Sequence, residues 1–267
     1  MRNVADIAMT APMTDADIRL AHLLADAAGA AIRPFFRARF DIETKPDASP
    51  VTQADQAAER AIRAVLAEHA PQDGIIGEEY GRVREDADRV WVLDPIDGTR
   101  AFIAGRPIFG TLIALLEQGR PVLGVIDQPI SGERWVGAHG RPTTLNDVPV
   151  TTRSCPAIAN ALLATTSPWL FDGPGGAAFD RVRAAVRDTA LGGDCYNYAL
   201  LAAGHGDVIV EQGLQLYDFA ALVPVVEGAG GVMRDWSGNP LDANSNGQVI
   251  AVGDPSLLDP VLTLINA

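Results

Sequence analysis

Cysteine is scarce in this chain: Cys155 and Cys195 are the only two among 267 residues, and they fall in no CxxC pattern. A disulfide framework and a thiolate zinc centre are therefore excluded as organising features. The four histidines, His22, His69, His139 and His205, form no HxH or HxxxH pair, which argues against zinc held on imidazoles. Any metal here must be held by oxygen. Basic residues are also few, 21 Lys and Arg against 34 Asp and Glu, for a net charge of −13. Binding a polyanion by counterion release needs clustered cations, so nucleic acid is not an expected partner. The same charge fits a cationic substrate or bound divalent metal, and equally fits simple solubility. No apolar run reaches the roughly 18 residues of a membrane span, and the N-terminus lacks the compact apolar segment of a secretory signal. The expectation is a cytoplasmic protein with no membrane partner.

What is present is enough apolar material, 48% of the residues, to bury a sizeable core in one large domain or two intimately packed halves. Residues 1–13 carry no periodic apolar pattern and are expected to be disordered. Thr14 and Asp17 resemble a capping box, and the Ala/Leu/Ile-rich stretch from Asp15 to about Arg37 reads as an amphipathic helix. After a Pro- and Asp-rich loop, a second helix is expected over Asp55–Ala70, stopped by Pro71. Short β-branched runs then predict strands at Ile75–Ile76, Val90–Leu93, Ile108–Leu116, Val122–Ile126 and Trp135–Val136. Beyond Cys155 the pattern alternates. Strands are expected near Ala161–Thr165 and Val208–Val210, with helices near Ala177–Asp188, Tyr196–Ala203, Asp218–Glu227 and after Asp254-Pro255. Pro168–Gly176 reads as surface loop. This order implies a layered α/β or α+β fold.

The chemistry concentrates in carboxylates at strand ends. The apolar run Trp91-Val-Leu leads straight into Asp94-Pro-Ile-Asp97-Gly-Thr99, where Gly98 lets backbone N–H groups approach an anion. Sixteen residues earlier Ile75-Ile76-Gly77 ends in Glu78-Glu79 in the same way. Clustered carboxylates repel unless a cation sits among them, and hard ions such as Mg²⁺ prefer such all-oxygen surroundings. Taken singly, Asp97-Gly98 also reads as an ordinary turn and Glu78-Glu79 as a solvated pair. A haloacid-dehalogenase-type site needs its second Asp two positions on, whereas the spacing here is three. Neither a GxxxxGK[ST] loop nor a GxSxG elbow occurs.

Asp55, Gly77-Glu78-Glu79, Asp94-Pro-Ile-Asp-Gly-Thr99 and Asp218-Phe-Ala-Ala221 occur in the order and approximate spacing of the inositol monophosphatase superfamily, which the chain resembles from about Ala16 to Leu264. Tyr217 stands where that family carries tryptophan. This variant, with Gly193-Asp-Cys-Tyr-Asn197 and Leu222-Val-Pro-Val-Val-Glu-Gly-Ala-Gly-Gly231, looks most like the histidinol-phosphate phosphatase branch.

The resemblance implies a layered αβαβα sandwich of the α/β (α+β) class. It would form a single phosphatase domain over 14–267, with an N-terminal half of about 14–152 and a C-terminal half of about 153–267. It implies two or three Mg²⁺ ions: Glu78, Asp94 and the carbonyl of Ile96 on one, Asp94, Asp97 and Asp218 on another. Thr99 and Asp55 would orient and deprotonate the attacking water, with Asp55 accepting from Thr99; Asp55 also reads as a cap for its own helix. Backbone N–H groups of Gly98 and Thr99 would bind phosphate. Glu79 is either a water ligand or a solvated neighbour, and Lys45 either assists at the site or is an exposed loop charge. A homodimer is implied.

Family positions that touch the leaving group fall at Asp194 and Glu211, both acidic, which suits a small phosphate ester carrying an amine or imidazolium. L-Histidinol phosphate has both. The competing readings are a helix cap for Asp194 and a surface salt bridge for Glu211. Hydrolysis of inositol 1-phosphate or another polyol phosphate is the alternative within the same chemistry, and a non-catalytic metal- or partner-binding member of the fold is the alternative outside it.

Overall fold

The computed structural model describes residues 13–38, 42–44 and 50–267. The expected disordered segment lies outside these except for Met13, which is buried at 3% exposure and donates its N–H to the His139 carbonyl. Lys45 also lies outside the described residues. Helix α1 (Asp15–Ile32) starts at the expected capping box, with Thr14 Oγ1 accepting from Asp17 N at 3.2 Å. Pro34 replaces its last turn by a 3₁₀ turn at Arg33–Phe35, so the helix ends five residues earlier than the apolar pattern suggests. Strands β1 (Ile42–Thr44) and β2 (Pro50–Thr52) pair as a hairpin, and β2 runs directly into α2 (Gln53–His69).

The chain then forms β3 (Gly74–Gly77), β4 (Gly81–Val83), β5 (Arg89–Asp97), α3 (Thr99–Ile103), β6 (Gly110–Glu117), β7 (Arg120–Gln128), β8 (Glu133–Ala138), β9 (Arg141–Leu145) and β10 (Val148–Pro149). Among the described residues these strands make one sheet in the order β10-β9-β8-β7-β6-β5-β3-β4, with β3 and β5 parallel. The second half supplies β11 (Leu162–Thr165), α4 (Gly173–Ala185), β12 (Asp188–Leu191), α5 (Asp194–Ala202), β13 (Val208–Glu211), α6 (Leu216–Phe219), α7 (Leu222–Gly228), β14 (Val232–Arg234), β15 (Val249–Val252) and α8 (Leu258–Ile265). Its sheet has the order β12-β11-β13-β15-β14.

Side-chain alternation explains the layering. Trp91, Leu93, Ile113 and Leu115 project from one face of the large sheet into a core with Ala21, Leu24 and Ala28 of α1 and Ala58, Ile62 and Leu66 of α2. Their neighbours Val90, Val92, Leu112 and Ala114 project the other way, into a core shared with Tyr198, Leu201, Phe219 and Val225 and with Ile209 and Ala251 of the small sheet. The far face of the small sheet, Leu163, Val208, Val210 and Ile250, closes against Phe179 and Val182 of α4 and Val261 of α8. The result is the expected αβαβα sandwich. Helix α7 comes close enough to the large sheet that a Cβ on Gly124 would lie 1.9 Å from the Ala221 carbonyl oxygen.

Three expectations change. The single helix over Asp218–Glu227 is split into α6 and α7, because Pro224 cannot donate to the Ala220 carbonyl and fits only the first turn of a new helix. The helix expected at Ala177–Asp188 begins at Gly173, with Pro174 in its first turn, and gives way to β12 by Asp188, so the stretch Pro168–Gly176 is not all loop as expected. Strand β15 is buried at all four positions, a short apolar run that the alternation pattern does not single out. No helix among the described residues is long and apolar enough to cross a membrane.

Candidate active site

The site forms where β3 and β5 end side by side. Their parallel register pairs Gly77 with Leu93, and Glu78 N donates to the Leu93 carbonyl at 3.1 Å, so Glu78 and Asp94 emerge as neighbours. Asp94 and Asp97 differ by an odd number of positions and would face opposite ways on a regular strand. They do not, because the register slips between them: Asp94 pairs with Leu112 and Asp97 with Gly110, so three steps on β5 match two on β6. This is a bulge, and its extra residue turns both carboxylates to one side. Pro95 suits the position since it has no ladder N–H to lose. The bulge carbonyls are collected by hydroxyls, Thr111 Oγ1 donating to Pro95 O at 2.8 Å and Thr99 Oγ1 to Ile96 O at 3.0 Å.

Asp218 joins from α6, where its Oδ2 accepts from Gln215 N at 2.6 Å in a capping box. Carboxylate oxygens of Asp94, Asp97 and Asp218 all lie within 4.8 Å of one another. Asp55, at 2% exposure, lies in the first turn of α2 rather than at its N-cap, and its charge acts on Asp94.

Electrostatics follow from this crowding. Burial, and then repulsion from Glu78, Asp97, Asp218 and Asp55, pushes the Asp94 carboxyl well above the usual carboxylate range. Burial and the charges of Asp194 and Asp218 do the same to Asp97, although Cys195 N donates to its Oδ2 at 2.6 Å. Burial likewise takes Asp218 up to about 7 against the pull of the Gln215 N–H, with Glu78, Glu211 and Asp194 adding repulsion. Two ionised carboxylates 4.8 Å apart repel by about 3 kcal/mol at an effective dielectric of about 20. Such a cluster ionises fully only around a cation, and its all-oxygen donors match a hard divalent ion.

The other acidic pair lies beside this cluster. Asp194 opens α5 with φ +45° behind Gly193 at φ +116°. A Cβ built on Gly98 would stand 2.9 Å from Asp194 Oδ2. Burial and repulsion from Glu211 raise Asp194 to about 6, opposed by the positive charge of Arg100. Glu211 is buried at 2% exposure, so the salt-bridge alternative fails. Its Oε1 accepts from Thr166 N at 2.9 Å and Thr166 Oγ1 at 2.6 Å, and its Oε2 from Tyr198 OH at 2.9 Å. Sequence reasoning missed Thr166, Tyr198 and Arg100. Neither Thr166 nor Tyr198 lies in a motif, and both meet Glu211 only through pairing of the small sheet and the docking of α5. Thr99 Oγ1 reaches Ile96 O because the bulge frees that carbonyl.

The model of the inositol monophosphatase family matches residues 13–265. The chain belongs to this family. It is 53% identical over 243 residues to the Arabidopsis thaliana protein named bifunctional phosphatase IMPL2, chloroplastic, covering 88% of this chain and 70% of that protein. It is 38% identical over 262 residues to the histidinol-phosphatase of Streptomyces coelicolor, covering 94% and 97%. Among solved structures, that of an inositol monophosphatase from Zymomonas mobilis superposes with a TM-score of 0.87 at 62% identity, covering 94% of this chain and 98% of that one. The family is metal-dependent, and the acidic cluster of this member suits that dependence.

Proposed function

We propose that this phosphatase hydrolyses L-histidinol phosphate to L-histidinol and inorganic phosphate. The observation that carries the substrate assignment is Asp194. Its carboxylate adjoins Gly98 of the turn that bears Asp97. Buried Glu211 reinforces the negative potential there. A leaving group with an ammonium or imidazolium would satisfy Asp194 and hold its proton off. One relative, the streptomycete histidinol-phosphatase, supports the reading by name.

In this reading Glu78, Asp94, Asp97 and Asp218 hold Mg²⁺, with the Ile96 carbonyl as a further donor. Bound ions supply an acidified water and stabilise the departing alkoxide. Thr99, with its proton given to Ile96 O, keeps lone pairs with which to orient a water. Asp55 takes that water's proton, and the N–H groups of Gly98 and Thr99 hold phosphate oxygens. Inositol 1-phosphate is the second reading, favoured by the 62% identity to the Zymomonas enzyme. A homodimer is part of the proposal by family resemblance.

The test is inorganic phosphate release from L-histidinol phosphate and from inositol 1-phosphate in parallel, with Mg²⁺ and with excess chelator. Chelator-sensitive turnover favouring histidinol phosphate is expected. Preference for the inositol ester would overturn the substrate, and release from neither would overturn the catalytic reading.

A further inference from the structure

Outside the carboxylates already discussed, the described core buries one more acidic side chain beside the site. Glu59 is 0% exposed on α2, one turn beyond Asp55. Its Oε2 accepts from Glu79 N at 2.8 Å, and its Oε1 from Tyr80 N at 3.2 Å and Arg63 Nε at 2.7 Å. Arg63 in turn donates to the Gly81 carbonyl at 2.5 Å. Gly77 leaves room for this, since a Cβ there would stand 2.0 Å from Glu59 Oε1. Residues 77–81 thus wrap around one buried carboxylate, and Glu78, whose charge acts on Asp94, belongs to that turn. A buried charge of this kind is costly unless its partners are well placed, and here two backbone N–H groups and the Arg63 guanidinium supply them. What only the carboxylate supplies is two oxygens that fix two successive N–H groups immediately after Glu78.

We propose that Glu59 is a positioning residue that sets divalent-metal affinity by fixing the turn that carries Glu78 beside the Asp94, Asp97 and Asp218 cluster. Asp55 and Glu59 on one helix face then act on the two ends of the same site. The inference rests on the reading of Glu78 as a metal ligand. Residues that orient ligands without touching the ion typically matter by about 10- to 100-fold in metal affinity.

The test is isothermal titration of the metal-free full chain with Mg²⁺, with the metal-free melting temperature alongside, for wild type, Glu59→Gln and Glu59→Asp. Gln keeps the length and loses one acceptor; Asp keeps the charge and withdraws it from the turn. Both variants should lower the metal-free melting temperature, because Arg63 loses its partner, and should bind Mg²⁺ about 10- to 100-fold more weakly in the folded state, titrated well below each variant's melting transition. Wild-type affinity in Glu59→Gln, or rescue by Asp, overturns the positioning role alone. A collapse of the metal-free melting temperature with affinity intact in the folded fraction marks Glu59 as structural only and overturns it too. A wild type that binds no Mg²⁺ overturns the reading of the cluster as a metal site, and this inference with it.

Discussion

Asp194 meets Gly98 so closely that any side chain at 98 would collide with its carboxylate: a Cβ there would stand 2.9 Å from Oδ2. The turn that bears Asp97 and the acidic start of α5 are therefore one surface, and in the proposed function the leaving group passes Asp194. Asn tolerates the left-handed backbone found at this position and removes only the charge. Asp194→Asn should lower kcat/KM for L-histidinol phosphate by about 10- to 100-fold, the worth of one charged hydrogen bond. The value for inositol 1-phosphate should hold or rise. Equal losses on both esters, read from initial rates, would remove Asp194 from substrate selection.

Asp94 is the most buried of the clustered acids, at 2% exposure, and feels four carboxylates besides the cost of burial. Asp94→Asn keeps the shape and deletes the charge about which the others arrange. Phosphate release with Mg²⁺ should fall on the order of 1,000-fold or more, because metal binding and water activation fail together. The metal-free variant should melt at a higher temperature than metal-free wild type, since repulsion is relieved. Loss of activity together with a lower metal-free melting temperature would instead mean that the variant misfolds.

How far the sequence reveals this site depends on which forces place each residue. Glu78, Asp94 and Asp97 were legible because they are local: an apolar run stops, and charge begins. Their convergence was not, since a spacing of three on a strand points two side chains apart, and only the bulge against β6 reverses that. Asp218 was found through its motif, yet the break between α6 and α7 that frames it depends on Pro224 at the start of a new helix. Thr166 and Tyr198 reach Glu211 across 45 and 13 positions of sequence. Such contacts are set by tertiary packing, which no local pattern encodes. The layers were legible in outline because buried strands and amphipathic helices alternate, whereas the short strands β9, β10 and β14 take their place from their neighbours in the sheet.

The approach of α7 to the large sheet is a backbone-to-backbone contact, and it supports the layer that carries Asp218. A methyl on Gly124 would lie 1.9 Å from the Ala221 carbonyl oxygen, and one on Gly137 would lie 2.2 Å from that of Pro224. Neither neighbour is a flexible side-chain tip, so the helix must shift. Gly124→Ala should cost about 1–3 kcal/mol and lower the melting temperature by several degrees. An unchanged melting temperature would show that α7 can move away freely.

The raised pKa values of the buried carboxyls fix a pH dependence whose sign follows from proton binding. Without metal, Asp218 titrates at about 7 in the folded chain against an ordinary 3.8, and Asp194 at about 6. Folding therefore takes up protons between these limits. The stabilisation this brings is fully present below about pH 4 and is lost as the pH rises through about 7. Asp254, held at about 2 by its hydrogen bonds to Ser256, acts in the opposite sense but only at lower pH. From about pH 5 to about pH 8 the melting temperature of the metal-free protein should fall. Asp218→Asn should flatten this fall, having no proton to lose. Saturating Mg²⁺ should reverse it, because the ion binds the ionised carboxylates and its stabilisation grows as they lose protons. A metal-free melting temperature that rises across this range would mean that the cluster is ionised without a cation, against the crowding of Asp94, Asp97 and Asp218.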